Sequence, residues 1–135
     1  MTSKYLGFTT QSCSQQRPWI LAVDDDEDNL LLLSYVLQQL GYAVLGTTHS
    51  DEVLPLALSQ QPQLILLDII LPKLDGFELL RLLKQNQQTC QIKVIATTGL
   101  AFPEDRQRLL VAGFDDYISK PYLISDLEML IEQYV

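Results

Sequence analysis

Four short apolar runs in this chain give way to residues that could handle a hard cation or a phosphoryl group. WILAV leads into Asp24-Asp25-Asp26, LILL into Asp68, KVIA into Thr97-Thr98, and DYI into Ser119-Lys120-Pro121. Asp68 sits in LILLDIILPKLDG, and an aspartate in so apolar a setting either caps a strand where the chain re-enters water or meets something cationic. Clustered carboxylates repel one another unless a cation joins them. Oxygen donors without histidine or cysteine select a hard ion, and Mg²⁺ (or Mn²⁺) accepts a few carboxylates while keeping water ligands. A carboxylate beside such an ion is a possible nucleophile toward phosphorus, giving an acyl phosphate. A lysine ammonium and a hydroxyl then serve the equatorial oxygens of the group in transfer.

Whether these groups meet depends on the elements that carry them. The apolar runs Trp19–Val23, Ala43–Gly46, Leu64–Leu67, Lys93–Thr97 and Asp116–Ser119 are apolar on consecutive positions, as in parallel strands buried on both faces. Helix-period segments lie between them. Asp28–Leu40 opens on Asp/Asn and stops at Gly41, and Ser50–Gln60 carries Pro55 early, which bends or delays it. Gly76–Gln85 follows Asp75, Pro103–Ala112 ends at Gly113, and the last helix opens on the capping box Ser125-Asp126-Leu127-Glu128 and runs to Tyr134. Five strand–helix units predict a doubly wound α/β domain with a five-stranded parallel sheet in the flavodoxin-like order 2-1-3-4-5. In such a (βα)5 fold, ligands bind beyond the carboxyl ends of the strands at the switch point between strands one and three. That is where Asp24-Asp25-Asp26, Asp68, Thr97-Thr98 and Ser119-Lys120 are carried.

The bulk composition narrows the partners. A chain of 135 residues with 47% hydrophobic and 19% charged residues is one globular domain. A net charge of −8 with scattered lysines and arginines argues against a nucleic-acid surface. No apolar run approaches the roughly 18 residues of a membrane helix, and the N-terminus lacks an export signal. Cys13 and Cys90 have no metal-ligand spacing and read as reduced thiols, so the expected location is the cytoplasm. Residues 1–17, rich in Ser, Thr and Gln, show no period and read as a flexible arm ahead of a domain over 18–135.

Taken together, ILAVDDDEDN (Ile20–Asn29), LLDIILPKLDG (Leu66–Gly76), VIATTG (Val94–Gly99) and DDYISKP (Asp115–Pro121) resemble the receiver domain of two-component response regulators. The resemblance implies that Asp68 is the phosphoacceptor and that Asp24 and Asp25 are the acidic pair. Asp25 would bind Mg²⁺ directly and Asp24 through water, and the backbone carbonyl of Ile70 would be a further ligand. Thr98, which directly precedes Gly99, matches the family's hydroxyl, and Lys120 its lysine, with the Lys120–Pro121 bond cis. Tyr117 matches the aromatic that swings inward as Thr98 moves toward the phosphoryl group. The implied partners are a sensor histidine kinase or phosphotransfer protein and a downstream protein target, with the receiver a monomer or weak homodimer. Such a protein is a signalling module, assisting only its own phosphorylation and dephosphorylation. Apolar Ile70 and Leu100, two residues after Asp68 and Thr98, replace groups that would orient an attacking water, so the acyl phosphate is expected to be long-lived.

Other readings are weaker. Asp24-Asp25-Asp26 superficially supplies the Asp-x-Asp of a haloacid dehalogenase-type phosphohydrolase. That family expects Thr or Val where Asp28 stands, and normally a cap domain. A pseudo-receiver that binds partners without phosphorylation usually lacks an acidic or lysine position, and none is missing here. Asp26, Glu27 and Asp28 read as a solvated loop and helix cap, His49 as an exposed loop residue, and Thr97 as facing away from the site.

Overall fold

Ile20–Val23 and Leu64–Asp68 are buried at every position, because helices cover both faces of the sheet that contains them. The computed structural model describes residues 5–8, 19–69, 75–99 and 103–135. Its strands are β1 (Tyr5–Phe8), β2 (Trp19–Val23), β3 (Ala43–Thr47), β4 (Leu64–Asp68), β5 (Lys93–Thr98) and β6 (Asp116–Ser119). Its α-helices are α1 (Glu27–Gln39), α2 (Val53–Gln60), α3 (Gly76–Gln85), α4 (Pro103–Ala112) and α5 (Ile124–Glu132). The sheet runs β1-β3-β2-β4-β5-β6. β2 to β6 are parallel, in the expected order 2-1-3-4-5 when counted alone.

The sixth strand was not expected. β1 pairs antiparallel with β3, from Tyr5 opposite Thr47 to Phe8 opposite Val44, inside the segment read from sequence as an arm. Four residues amid Ser, Thr and Gln carry no period, and the cause of pairing is nonlocal: the outer edge of β3.

The helices divide between two apolar cores. On one face Ile20, Leu64, Leu66 and Ile95 meet Leu30 and Leu37 of α1 and Leu127 of α5. On the other, Leu21, Ile65, Leu67 and Val94 meet Val53 of α2, Leu79 and Leu80 of α3, and Leu109 of α4. Local signals explain most helix ends. α1 begins one residue earlier than the sequence suggests, because the Asp26 carboxylate accepts from the Asp28 and Asn29 N–H groups. It closes with Gly41 at φ +100°, whose N–H donates to Gln38 O while Tyr42 N–H donates to Leu37 O. A 3₁₀ turn over Ser50–Glu52 precedes α2, leaving Pro55 in the first α-helical turn where its missing donor costs nothing. The capping box expected at Ser125 does not form. Extended Leu123 precedes α5, so Ser125 and Glu128 both lie inside the helix.

One close approach ties α3 to the loop after Asp68. Gly76 N–H donates to Ile69 O at 2.8 Å, and a Cβ at Gly76 would stand 2.5 Å from Ile69 Cα. Because the obstacle is backbone, Gly76→Ala is expected to lower unfolding free energy by about 2 kcal/mol in a urea titration. A midpoint equal to wild type would show that the loop yields without cost.

Candidate functional site

The switch point places the acidic strand ends side by side. Val23 is level with Leu67 across the β2–β4 pair, so Asp24 and Asp68 leave the sheet as neighbours. Both are buried, and Asp25 is exposed beside them. Carboxylate oxygens of all three lie within 4.8 Å of one another. Ligand oxygens around one Mg²⁺ stand about 3 to 4 Å apart at Mg–O distances of about 2.1 Å, so this all-oxygen set fits a hard divalent ion after a small closing movement.

Lys120 comes to the same place from the loop after β6. Its ammonium lies 3.1 Å from Asp24 Oδ2 and 3.3 Å from Asp68 Oδ2. Burial alone would lower its pKa, but hydrogen bonds and negative charge from Asp24 and Asp68 outweigh burial and raise it above the usual 10.5. It is therefore a cation at neutral pH. The loop is held by Lys120 N–H donating to Thr98 O at 2.6 Å, and the Lys120–Pro121 peptide bond is cis. Asp24 is held on both oxygens, since its Oδ1 accepts from Asp26 N–H at 2.9 Å.

The two threonines of β5 separate by face. By strand alternation Thr98 follows Ala96 toward the core under α4, whereas Thr97 follows Ile95 toward α1 and α5. Thr97 is therefore not remote from the acidic site as the sequence suggested. It lines a cavity of about 520 Å³ together with Asp24, Lys120, Asn29, Leu32 and Tyr122. Tyr117 packs against the core on the Thr98 side. Arg106 of α4 donates from Nε to the Tyr117 hydroxyl and lays its guanidinium over the ring, 5.3 Å from the centroid. Sequence reasoning missed this arginine, because the packing of α4 on β6 has no local signature. His49 is exposed. Ile70 and Leu100 lie outside the described residues.

Residues 20–132 match the model of the response regulator receiver domain. The chain belongs to that family. A relative with 34% identity over 116 residues is the polar-differentiation response regulator DivK of Brucella anthropi, covering 86% of this chain and 94% of that protein. Among solved structures, the signal receiver domain of a signal transduction histidine kinase from Syntrophus aciditrophicus is similar at a TM-score of 0.79 and 31% identity, over 87% of this chain and 89% of that one. The receiver domain of a sensor histidine kinase from Pseudomonas aeruginosa matches at a TM-score of 0.80 and 30% identity, over 87% of this receiver and 97% of that chain. It was solved with a magnesium ion coordinated in its active-site cleft. In the receiver described here, the corresponding chemistry is an acidic cluster of Asp24, Asp25 and Asp68. Among its described residues no helix is long and apolar enough to cross a membrane.

Proposed function

We propose that this receiver domain accepts a phosphoryl group onto Asp68 from a phosphohistidine protein, a sensor histidine kinase or phosphotransfer protein, and passes the signal to a separate protein target. The observation that supports this most is Lys120 bridging Asp24 and Asp68 at the carboxyl edge of the sheet. An Asp68 oxygen attacks phosphorus, the N–P bond of the donor breaks, and the freed imidazole keeps the electron pair and takes up a proton. Lys120 offers its ammonium to the transferred oxygens. Asp24, Asp25 and Asp68 would hold Mg²⁺ (or Mn²⁺), which supplies further neutralisation of phosphoryl charge. The carbonyl of Ile70 is the proposed additional ligand.

Thr98 and Tyr117 are the proposed switch, with the hydroxyl of Thr98 drawn toward the phosphoryl group and Tyr117 following inward. Tyr117 then leaves Arg106, which changes the surface between α4 and β6. The proposed donor face is the mouth of the cavity beside Asp24 and Lys120, where Leu32 of α1 and Ile124 of α5 are exposed and apolar. The phosphohydrolase reading would need Asp24 as nucleophile, yet its Oδ1 accepts from Asp26 N–H and its Oδ2 is held by Lys120. The proposed partners are proteins, not nucleic acid or membrane, the proposed location is the cytoplasm, and the proposed state is a monomer or weak homodimer.

The reading is tested with a small phosphodonor such as acetyl phosphate and Mg²⁺, followed by intact mass. One self-limiting gain of about 80 Da, a single phosphoryl group, supports it; catalytic turnover of the donor without labelled protein would overturn it. Following the label's decay at neutral pH with Mg²⁺ tests the apolar pair Ile70 and Leu100. A lifetime of many minutes is expected, and a half-life of seconds would show that these side chains give no shielding.

Metal binding has its own readout. Mg²⁺ at about a hundred times its Kd is expected to stabilise the folded chain by about 2.7 kcal/mol, seen as a rise in Tm at matched ionic strength. Asp25→Asn is expected to lose most of that rise. An unchanged Mg²⁺ response in this variant would remove Asp25 from the ligand set.

A further inference from the structure

The two margins of the parallel part of the sheet, β6 and β3, are protected in different ways. β6 is four residues long, starts at Asp116 and runs into Lys120 and Pro121. Shortness, charge and proline are devices that discourage edge-to-edge pairing. β3 has neither charge nor proline, its sequence being AVLGT. Its register with β2 runs unbroken from Ala43 to Thr47, so no bulge turns its edge away. Asp24 N–H donates to Thr47 O at 3.3 Å, which directs the Thr47 backbone toward β2. By alternation Val44 and Gly46 present their N–H and C=O groups outward. What meets them is β1, with Leu6 opposite Gly46 and Phe8 opposite Val44.

We propose that the outer edge of β3 is a strand-docking surface guarded in cis by Tyr5–Phe8, and that once β1 is displaced it takes the same edge of a second copy of this chain. Pairing in cis is easy to close. Phe8 stands opposite Val44 and Trp19 opposite Ala43, so β1 ends and β2 starts at one end of the sheet. They are two strand spacings apart, about 10 Å, whereas the ten residues 9–18 joining them reach up to about 33 Å. A tether of that length holds β1 at a local concentration in the millimolar range, which a second copy at micromolar concentration does not match. Without β1, two β3 edges pair antiparallel about a two-fold axis, a self-complementary contact. The uncharged sequence puts no like charges opposite each other across that axis.

Full-length Leu6→Pro removes a β1 donor that faces β3 and leaves the rest of the chain intact. A chain starting at residue 17 removes the strand altogether. Light scattering across a concentration series is expected to show both forming dimers at concentrations about a hundredfold below those the full wild-type chain needs. A synthetic peptide of residues 1–12 in excess is expected to return the shortened chain to monomer. If both variants keep a native circular dichroism spectrum yet stay monomeric throughout, the docking surface is wrong. If the wild type dimerises at the same concentration as the variants, β1 is no guard. An edge reserved for a foreign strand would also leave the variants monomeric, and so counts against the proposal.

Discussion

An Asp68→Asn chain incubated with acetyl phosphate and Mg²⁺ is expected to keep its unmodified mass, while the wild type gains about 80 Da. The three clustered carboxylates are not equivalent as nucleophiles. Asp24 is the most enclosed, with Oδ1 accepting from Asp26 N–H and Oδ2 held by Lys120. Asp25 is exposed, and in water its charge gains little from the fixed groups of the site. Asp68 ends the strand between β2 and β5, 7% exposed, with Lys120 on its Oδ2. Like Asp24 it is buried, but its strand stands between the other two, so the groups of β2 and β5 flank it on both sides. The amide that replaces its carboxylate preserves the shape but removes the nucleophilic charge. It also lessens repulsion with Asp24 and Asp25, so the variant is expected to fold at least as stably as the wild type. Labelling of Asp68→Asn at the wild-type rate would transfer the acceptor role elsewhere. Loss of labelling together with loss of fold would be uninformative, which is why Tm is measured on the same samples.

The second large effect concerns Lys120. Lys120→Met leaves two carboxylates whose side chains are only 6% and 10% exposed facing each other without their shared cation. Removing one partner of so enclosed an arrangement is expected to cost roughly 2 to 3 kcal/mol in chelator-treated buffer. The same change is expected to tighten Mg²⁺ binding by about tenfold or more, because an ammonium no longer occupies or repels from the site. Added Mg²⁺ therefore restores more stability to the variant than it adds to the wild type. Lys120→Arg, which keeps the charge, separates these electrostatic effects from lost packing of the aliphatic stem. If Lys120→Met is as stable as the wild type without metal and binds Mg²⁺ no better, the bridge seen at 3.1 and 3.3 Å has no energetic weight.

The strand ends were legible because parallel strands leave long apolar runs, and these stop abruptly at Asp24, Asp68 and Lys120. The helices over Gly76–Gln85 and Pro103–Ala112 were readable from local signals: Asp75 ahead of the one, Pro103 and Gly113 framing the other. What escaped depends on contacts distant in sequence. Tyr5–Phe8 is a strand because β3 has an open edge, not because of its own pattern. Ser125 looks like a cap in isolation, but the path from Pro121 through extended Leu123 starts α5 earlier. Arg106 reaches Tyr117 only because α4 lies against β6. Thr97 and Thr98 posed a subtler problem. Motif reasoning favoured one threonine and dismissed the other, whereas the pleat gives each its own side of the sheet.

That division has a consequence for how a receiver of this kind would be used. Asp24, Thr97 and the cavity beside Lys120 open toward α1 and α5, while Thr98 and Tyr117 belong to the side of α4. β5 then stands as a bulkhead between the two sides, with Thr97 turned to the one and Thr98 to the other. On the proposed reading, the donor of the phosphoryl group and the protein that responds to it approach opposite walls of one molecule. They need not take turns, and a mutation that spoils one encounter can leave the other untouched.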